Sequence, residues 1–267
     1  MIGHKYSCKM FLEYKGTTIF YETSGRGKPI LLLHGFLENS NMWNYIAEET
    51  FKGCQIVKID LLGHGKTGCI GYVHTMEVMA EAVLNVIEKL KITEFKIIGH
   101  SMGGYVALAL AELKPELISG ICLMNSTFQA DSAERRKIRR RAIEMAKTNY
   151  ESLVRMSFLN LFSTKSREKF GDDIDSALKE ALKTPIQGFI AAQEGMRKRV
   201  SRIGVIEHFN IKISMVLGTE DNLVNIAEVD KLTKNFNVKI YAISGGHMSH
   251  IENKEVLSYN LIQYIEN

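Results

Sequence analysis

Proline is nearly absent from the chain: Pro29, Pro115 and Pro185 are the only three in 267 residues, and none lies in a Pro-rich linker. No internal repeat or low-complexity tract occurs, which excludes solenoid and fibrous architectures. Cysteine is also scarce. Cys8, Cys54, Cys69 and Cys122 form neither a C-x-x-C pair nor the dense framework of small secreted domains. They read as four free thiols in a reducing compartment, with Cys122 buried in an apolar run. No hydrophobic run approaches the ~20 residues of a membrane span, and residues 1–11 lack a signal-peptide core. The expected location is the cytoplasm. Residues 1–9 read as a poorly ordered lead, because strand-like alternation starts near Met10.

Strong charge of one sign is missing as well. A net charge of +4 gives no reason to expect a nucleic-acid partner. Its distribution is uneven, however. Residues 127–208 hold 17 basic and 11 acidic residues, whereas the rest of the chain holds 17 and 19. A hydrophobic fraction of 45% excludes a mainly disordered chain and leaves ample material for a core. The length suits one large α/β domain with an insertion, or two small domains.

Strand-like and helix-like segments alternate along the chain. Residues 10–14 and 17–21 predict a hairpin turning at Lys15-Gly16, and 30–33 and 55–60 predict short buried strands. Apolar residues recur at helical spacing over 75–90, with Thr75 as the cap. A strand at 95–98, a helix at 102–113 stopped before Pro115, and a strand at 118–124 follow. Strands at 213–217 and 238–243 and a helix at 254–265 close the chain. This rhythm predicts an α/β fold with a mostly parallel, doubly wound sheet. Between 127 and 208 the rhythm stops and the sequence turns helical, charged and Met-rich. That segment is expected to be an inserted helical cap, leaving 1–126 and 209–267 as the core.

Gly99-His100-Ser101-Met102-Gly103, followed by Gly104, is a G-x-S-x-G motif between a predicted strand and a predicted helix. A sharp strand-to-helix turn strains the backbone at the serine and requires small neighbours. It also aims a helix N-terminus at the serine oxygen, which favours a developing anion there. Ser101 is therefore the expected nucleophile.

A serine hydroxyl needs a base, and the base needs an acid to orient it. Of eight histidines, His4, His74 and His208 lie outside any strand-end motif, and His100 is inside the turn, pointing away from Ser101. His247 follows Ser244-Gly245-Gly246 after the last strand, at the edge of the sheet where Ser101 sits, and His250 is its rival. Asp221 occupies the loop after the preceding strand, with Glu220 as competitor, expected to face solvent.

Taken together, these stations resemble the α/β-hydrolase superfamily over nearly the whole chain outside the cap. The motifs that carry the resemblance occur in order: Leu33-His34-Gly35-Phe36, Asp60-Leu61-Leu62-Gly63-His64-Gly65, the Ser101 motif, Gly218-Thr219-Glu220-Asp221 and Gly246-His247. Leu62 departs from the commoner pattern, which has arginine there. The chain order Ser101, Asp221, His247 is the family's triad order. The Met102 amide, next after the nucleophile, is one expected oxyanion donor, and the resemblance implies the Phe36 amide as the second. His34 reads as a brace for that loop.

Hydrolysis of a carboxylic ester or thioester is the expected reaction, with no metal or cofactor. Carbon–carbon bond hydrolases and lyases on the same triad stay open. Those acting on ring-cleavage products often carry asparagine where His100 stands, which disfavours them. A non-catalytic ligand receptor on the same scaffold also stays open. Within the cap, Met145, Met156, Phe158, Leu159, Leu161, Phe162 and Met196 read either as an adaptable pocket lining or as the cap's own core. The basic run 131–141 reads as a solvated helix face, a docking patch for an acidic acyl carrier or coenzyme A, or a nucleic-acid or membrane surface.

Overall fold

The structure, a computed structural model, describes residues 7–46 and 48–267. Residues 1–6 of the expected lead, His4 among them, lie outside the described residues, while Cys8 and Lys9 already belong to the first strand.

Eight strands make one sheet: β1 (Cys8–Tyr14), β2 (Thr17–Gly25), β3 (Lys28–Leu33), β4 (Cys54–Ile59), β5 (Phe95–His100), β6 (Ile118–Met124), β7 (Lys212–Gly218) and β8 (Val238–Ile243). Their order is β1-β2-β4-β3-β5-β6-β7-β8. The β1–β2 and β2–β4 pairs are antiparallel, and all other neighbours run parallel. Lys15 and Gly16 make the first hairpin turn with φ of 45° and 80°. The parallel strands are near-continuous apolar runs because helices cover both faces.

Winding starts at β3, proceeds to β4, then crosses back to β5 on the other side of β3. The switch point therefore lies between the carboxyl ends of β3 and β5, where a doubly wound sheet opens a crevice.

On one face, α1 (Met76–Lys89) and α2 (Met102–Leu113) pack on Leu31, Leu33, Ile97 and Ile121. Thr75 caps α1, its hydroxyl accepting the Val78 amide at 3.2 Å. On the other face, Leu257, Leu261 and Tyr264 of α10 (Lys254–Glu266) cover Ile98, Cys122 and Val216. Fully burying each such aliphatic side chain contributes about 2 kcal/mol. Two short helices, α8 (Ile226–Thr233) and α9 (Ser249–Glu252), were not anticipated from the sequence.

Between β6 and β7 run α3 (Ala133–Leu159), α4 (Thr164–Lys169), α5 (Gly171–Ala181), α6 (Ile186–Lys198) and α7 (Gly204–His208). Helix α3 breaks at Asn149, where φ is −137° and ψ 49°. A separate apolar cluster joins Val154, Phe158, Ile174 and Phe189 of these helices to Leu37 and Met248 of the sheet-end loops and to Ile251 of α9. All four cysteines are free thiols, and burial pushes the Cys122 thiol up to about 12. Among the described residues, no helix is long and apolar enough to cross a membrane.

Candidate active site

Ser101 caps the N-terminus of α2 with φ 48° and ψ −112°, outside the allowed regions for an ordinary side chain. Its amide donates to the Met124 carbonyl at 2.9 Å, which ties the turn to β6. The flanking glycines are sterically required. A Cβ on Gly99 would lie 2.6 Å from the Gly103 carbonyl oxygen, and one on Gly103 would lie 2.3 Å from that of Leu33. A Cβ on Gly104 would lie 2.4 Å from the side-chain Oγ of Ser126. The tight fit keeps the turn sharp and holds the serine beside the switch-point crevice.

His247, in the loop after β8, places Nε2 2.8 Å from Ser101 Oγ. Its Nδ1 lies 2.8 Å from Asp221 Oδ2, after β7. Asn125 Nδ2 also donates to that oxygen at 2.9 Å, and the Leu223 amide donates to Oδ1 at 2.8 Å. Burial pushes the Asp221 carboxyl up, but the facing His247 and these hydrogen bonds outweigh it and hold the group below its usual value. A carboxylate there fixes the His247 tautomer with Nδ1 protonated and Nε2 turned to Ser101. The His247 amide donates to the Leu161 carbonyl at 2.9 Å, and Glu252 accepts the Gly246 and Met248 amides at 2.9 and 3.1 Å. Glu220 is exposed, its amide bonded to the Gly245 carbonyl at 2.9 Å.

The Met102 amide opens α2, and the Phe36 amide follows β3 across the crevice. Among the described residues neither donates to a protein acceptor, which leaves both N–H groups free. His34 braces the loop from beneath: Nδ1 donates to the Gly35 carbonyl at 2.7 Å, and Nε2 accepts the Leu61 amide at 2.8 Å.

Glu38 is the residue that sequence reasoning missed. Its Oε2 accepts the Gly35 amide at 2.7 Å and pairs with His100 Nδ1 at 2.6 Å. His100 Nε2 in turn donates to the His247 carbonyl at 2.9 Å. One buried carboxylate thus connects the Phe36 loop, the serine turn and the His247 loop. Burial would push Glu38 up, yet the facing His100 and His250 bring it down to about 2. Burial likewise pushes His100 down, but Glu38 prevails and raises it. His250 packs edge-on against His100, ring centroids 5.2 Å apart, with Nε2 3.3 Å from Glu38 Oε1, and burial lowers it to about 3. Glu38, His100 and His250 are the one group of metal-ligand types among the described residues, with ligand atoms within 4.8 Å of one another. The Gly35, His100 and His247 bonds already engage that carboxylate and both nitrogens of His100, so the group works as a hydrogen-bonded brace.

A cavity of about 190 Å³ opens over Ser101 and His247, walled by Phe36, Tyr105, Arg139, Gln193, Met196 and Met248 among others. Met196 and Leu161 line it. Met145 and Met156, expected there, do not: they are 45% and 52% exposed on the outer surface of α3. Phe158 lines a neighbouring cavity with Leu37 and Tyr45, and Phe162 packs against Phe158 at 5.6 Å. The basic run divides as well. Arg136, Lys137, Arg140 and Arg141 are exposed, whereas Asp131 and Arg139 are buried. Helical periodicity had no way to show that Arg139 turns inward, because its partner Gln193 comes from a distant segment. Asn125 had a readable signal, a polar residue at the carboxyl end of an apolar strand.

A family model described as alpha/beta hydrolase fold matches residues 28–142. Uncharacterized proteins of Mycobacterium bovis and Mycobacterium tuberculosis are 30% identical over 106 residues, 40% of this chain. That match spans 31% of those curated relatives, less than a third of their length. A Bacillus subtilis protein provisionally named 2-succinyl-6-hydroxy-2,4-cyclohexadiene-1-carboxylate synthase is 25% identical over 86% of this chain and 88% of its own. A solved esterase from Thermogutta terrifontis superposes with a TM-score of 0.89 at 24% identity, covering 98% of both chains, a likeness of fold. Residues 28–142 match that family model, and the sheet that the later strands complete has the α/β-hydrolase fold.

Proposed function

We propose that this chain is a serine hydrolase that cleaves a carboxylic ester or thioester through an acyl-enzyme. The observation that supports this most is the unbroken row Ser101 Oγ, His247 and Asp221, each contact 2.8 Å, at the wall of a cavity. His247 Nε2 takes the hydroxyl proton as Ser101 Oγ attacks the acyl carbon. The Phe36 and Met102 amides stabilise the oxyanion, an effect worth about 10²- to 10³-fold per donor. The imidazolium, held by Asp221, returns its proton to the leaving alcohol or thiol. Water, activated by the same nitrogen, then releases the acid and restores Ser101.

In this reading residues 127–208 form a cap that roofs the cavity through Arg139, Leu161, Gln193 and Met196. The exposed Arg136, Lys137, Arg140 and Arg141 suit an acidic acyl carrier as a partner delivering the acyl group. The direct test is hydrolysis of 4-nitrophenyl esters from C2 to C12, with Ser101→Ala as control. Turnover that Ser101→Ala lowers by about 10⁴-fold or more supports the reading. A folded protein inactive on every chain length overturns it.

A further inference from the structure

Charge in the cavity beside Ser101 is one-sided. Arg135 and Arg139 line it, and no aspartate or glutamate does among the described residues. Arg139 is buried and makes three hydrogen bonds, from Nε and Nη2 to Asp131 and from Nη1 to Gln193 Oε1 at 2.9 Å. Asp131 is shared, however. Arg199, also buried, donates Nη1 to the same carboxylate. The remaining contacts of Arg199 are the carbonyls of Gln129 and Met196 and the face of Tyr105, 4.0 Å from the ring centroid. None of these carries a negative charge. Two buried guanidinium groups thus face one buried carboxylate, with one positive charge left over at the cavity wall. Uncompensated buried charge is costly, so its persistence beside a nucleophile points to an anion that arrives with the ligand. Arg139 has the donors for it: two of its five N–H groups have no protein acceptor among the described residues, and a planar fork suits a carboxylate.

We propose that the substrate bears a carboxylate remote from the scissile carbonyl, and that Arg139 binds it while Ser101 attacks the ester. The proposal rests on the hydrolase reading above and narrows it to carboxylate-bearing esters or thioesters. The cavity then sets substrate polarity as well as size. Asp131, Gln193 and Arg199 hold the Arg139 fork in place, and Arg135 adds positive potential along the approach.

The test compares kcat/KM for monoethyl glutarate and 4-acetoxybutanoate with that for their neutral ethyl esters, so that the carboxylate is sampled on both the acyl and the alcohol side. The native protein is expected to favour at least one acid over its neutral ester by tenfold or more. Arg139→Met should abolish that preference, Arg139→Lys should keep part of it, and the exposed pair Arg140→Gln and Arg141→Gln should retain it. Removing Arg139 leaves Asp131 and Arg199 matched one to one, so the variant is expected to fold. Equal rates on acid and neutral ester, or a preference that survives Arg139→Met, would overturn the proposal. Calorimetric binding of glutarate to the Ser101→Ala protein separates the two readings. If no ester is turned over but glutarate binds and Arg139→Met abolishes binding, the anion site stands and the ester reading falls. Glutarate binding that is unchanged by Arg139→Met removes the site.

Discussion

Ser101 sits at a backbone angle that an L-residue adopts only under constraint, and its neighbours supply the constraint on every side. Glu38 does the same for the loops, gathering the Gly35 amide and His100 on one carboxylate oxygen. Because Glu38 is held near 2 while an unfolded carboxyl titrates near 4.5, its contribution to stability is present above about 4.5. It is lost as pH falls from there through about 2. At neutral pH, Glu38→Gln should cost about 3 kcal/mol, the loss expected on breaking a buried pair. Chemical denaturation of both proteins across pH should show their curves converging over that acid window, and a constant gap would contradict the account. Ser101 was legible in the sequence because strand, turn and helix surround it. Glu38 was not, because its partner His100 lies 62 residues away and only the folded sheet brings them together.

Strands β3 and β5 carry the site because the chain reverses its winding between them. That reversal puts the Phe36 and Met102 amides on opposite sides of one crevice, and the packing of α2 against β3 fixes their spacing. Gly103 is the contact point. An alanine there would push its Cβ to 2.3 Å from the Leu33 carbonyl and 2.7 Å from that of His34, both backbone atoms unable to turn away. Gly103→Ala should therefore destabilise the fold by about 1–3 kcal/mol. It should also lower kcat by shifting the Phe36 and Met102 amides that the proposed mechanism uses, measured by urea unfolding and ester turnover together. Unchanged stability would mean that helix and strand are less tightly coupled than the geometry requires. The parallel strands were legible because burial on both faces writes them as apolar runs. Helices α8 and α9 were not, at eight and four residues, because so short a segment shows little helical period. The outward Met145 and Met156 show a second limit: apolar spacing marks a helix without telling which of its faces meets the core.

Across the whole molecule, the inserted helices and the sheet both hold the His247 loop. The Leu161 carbonyl holds the His247 amide, Glu252 reaches the Ser163 amide at 3.1 Å, and Arg202 pairs with Glu77 and Glu112 on the core helices. The surplus of basic residues in 127–208 was legible by counting, but its division into an outward patch and an inward Arg139 was not. For the outward patch, cleavage of an acyl-carrier ester should slow with rising salt and with Arg140→Glu and Arg141→Glu together, while a small ester is unaffected. A rate insensitive to both changes would remove the carrier as a partner. The central claim is that Ser101 becomes acylated, and a fluorophosphonate probe tests it most directly. The account predicts one adduct per chain, mapped by mass spectrometry to the peptide containing Ser101, absent from Ser101→Ala and rising in step with the loss of ester turnover. An adduct on another residue, or full turnover by the Ser101→Ala protein, would contradict it.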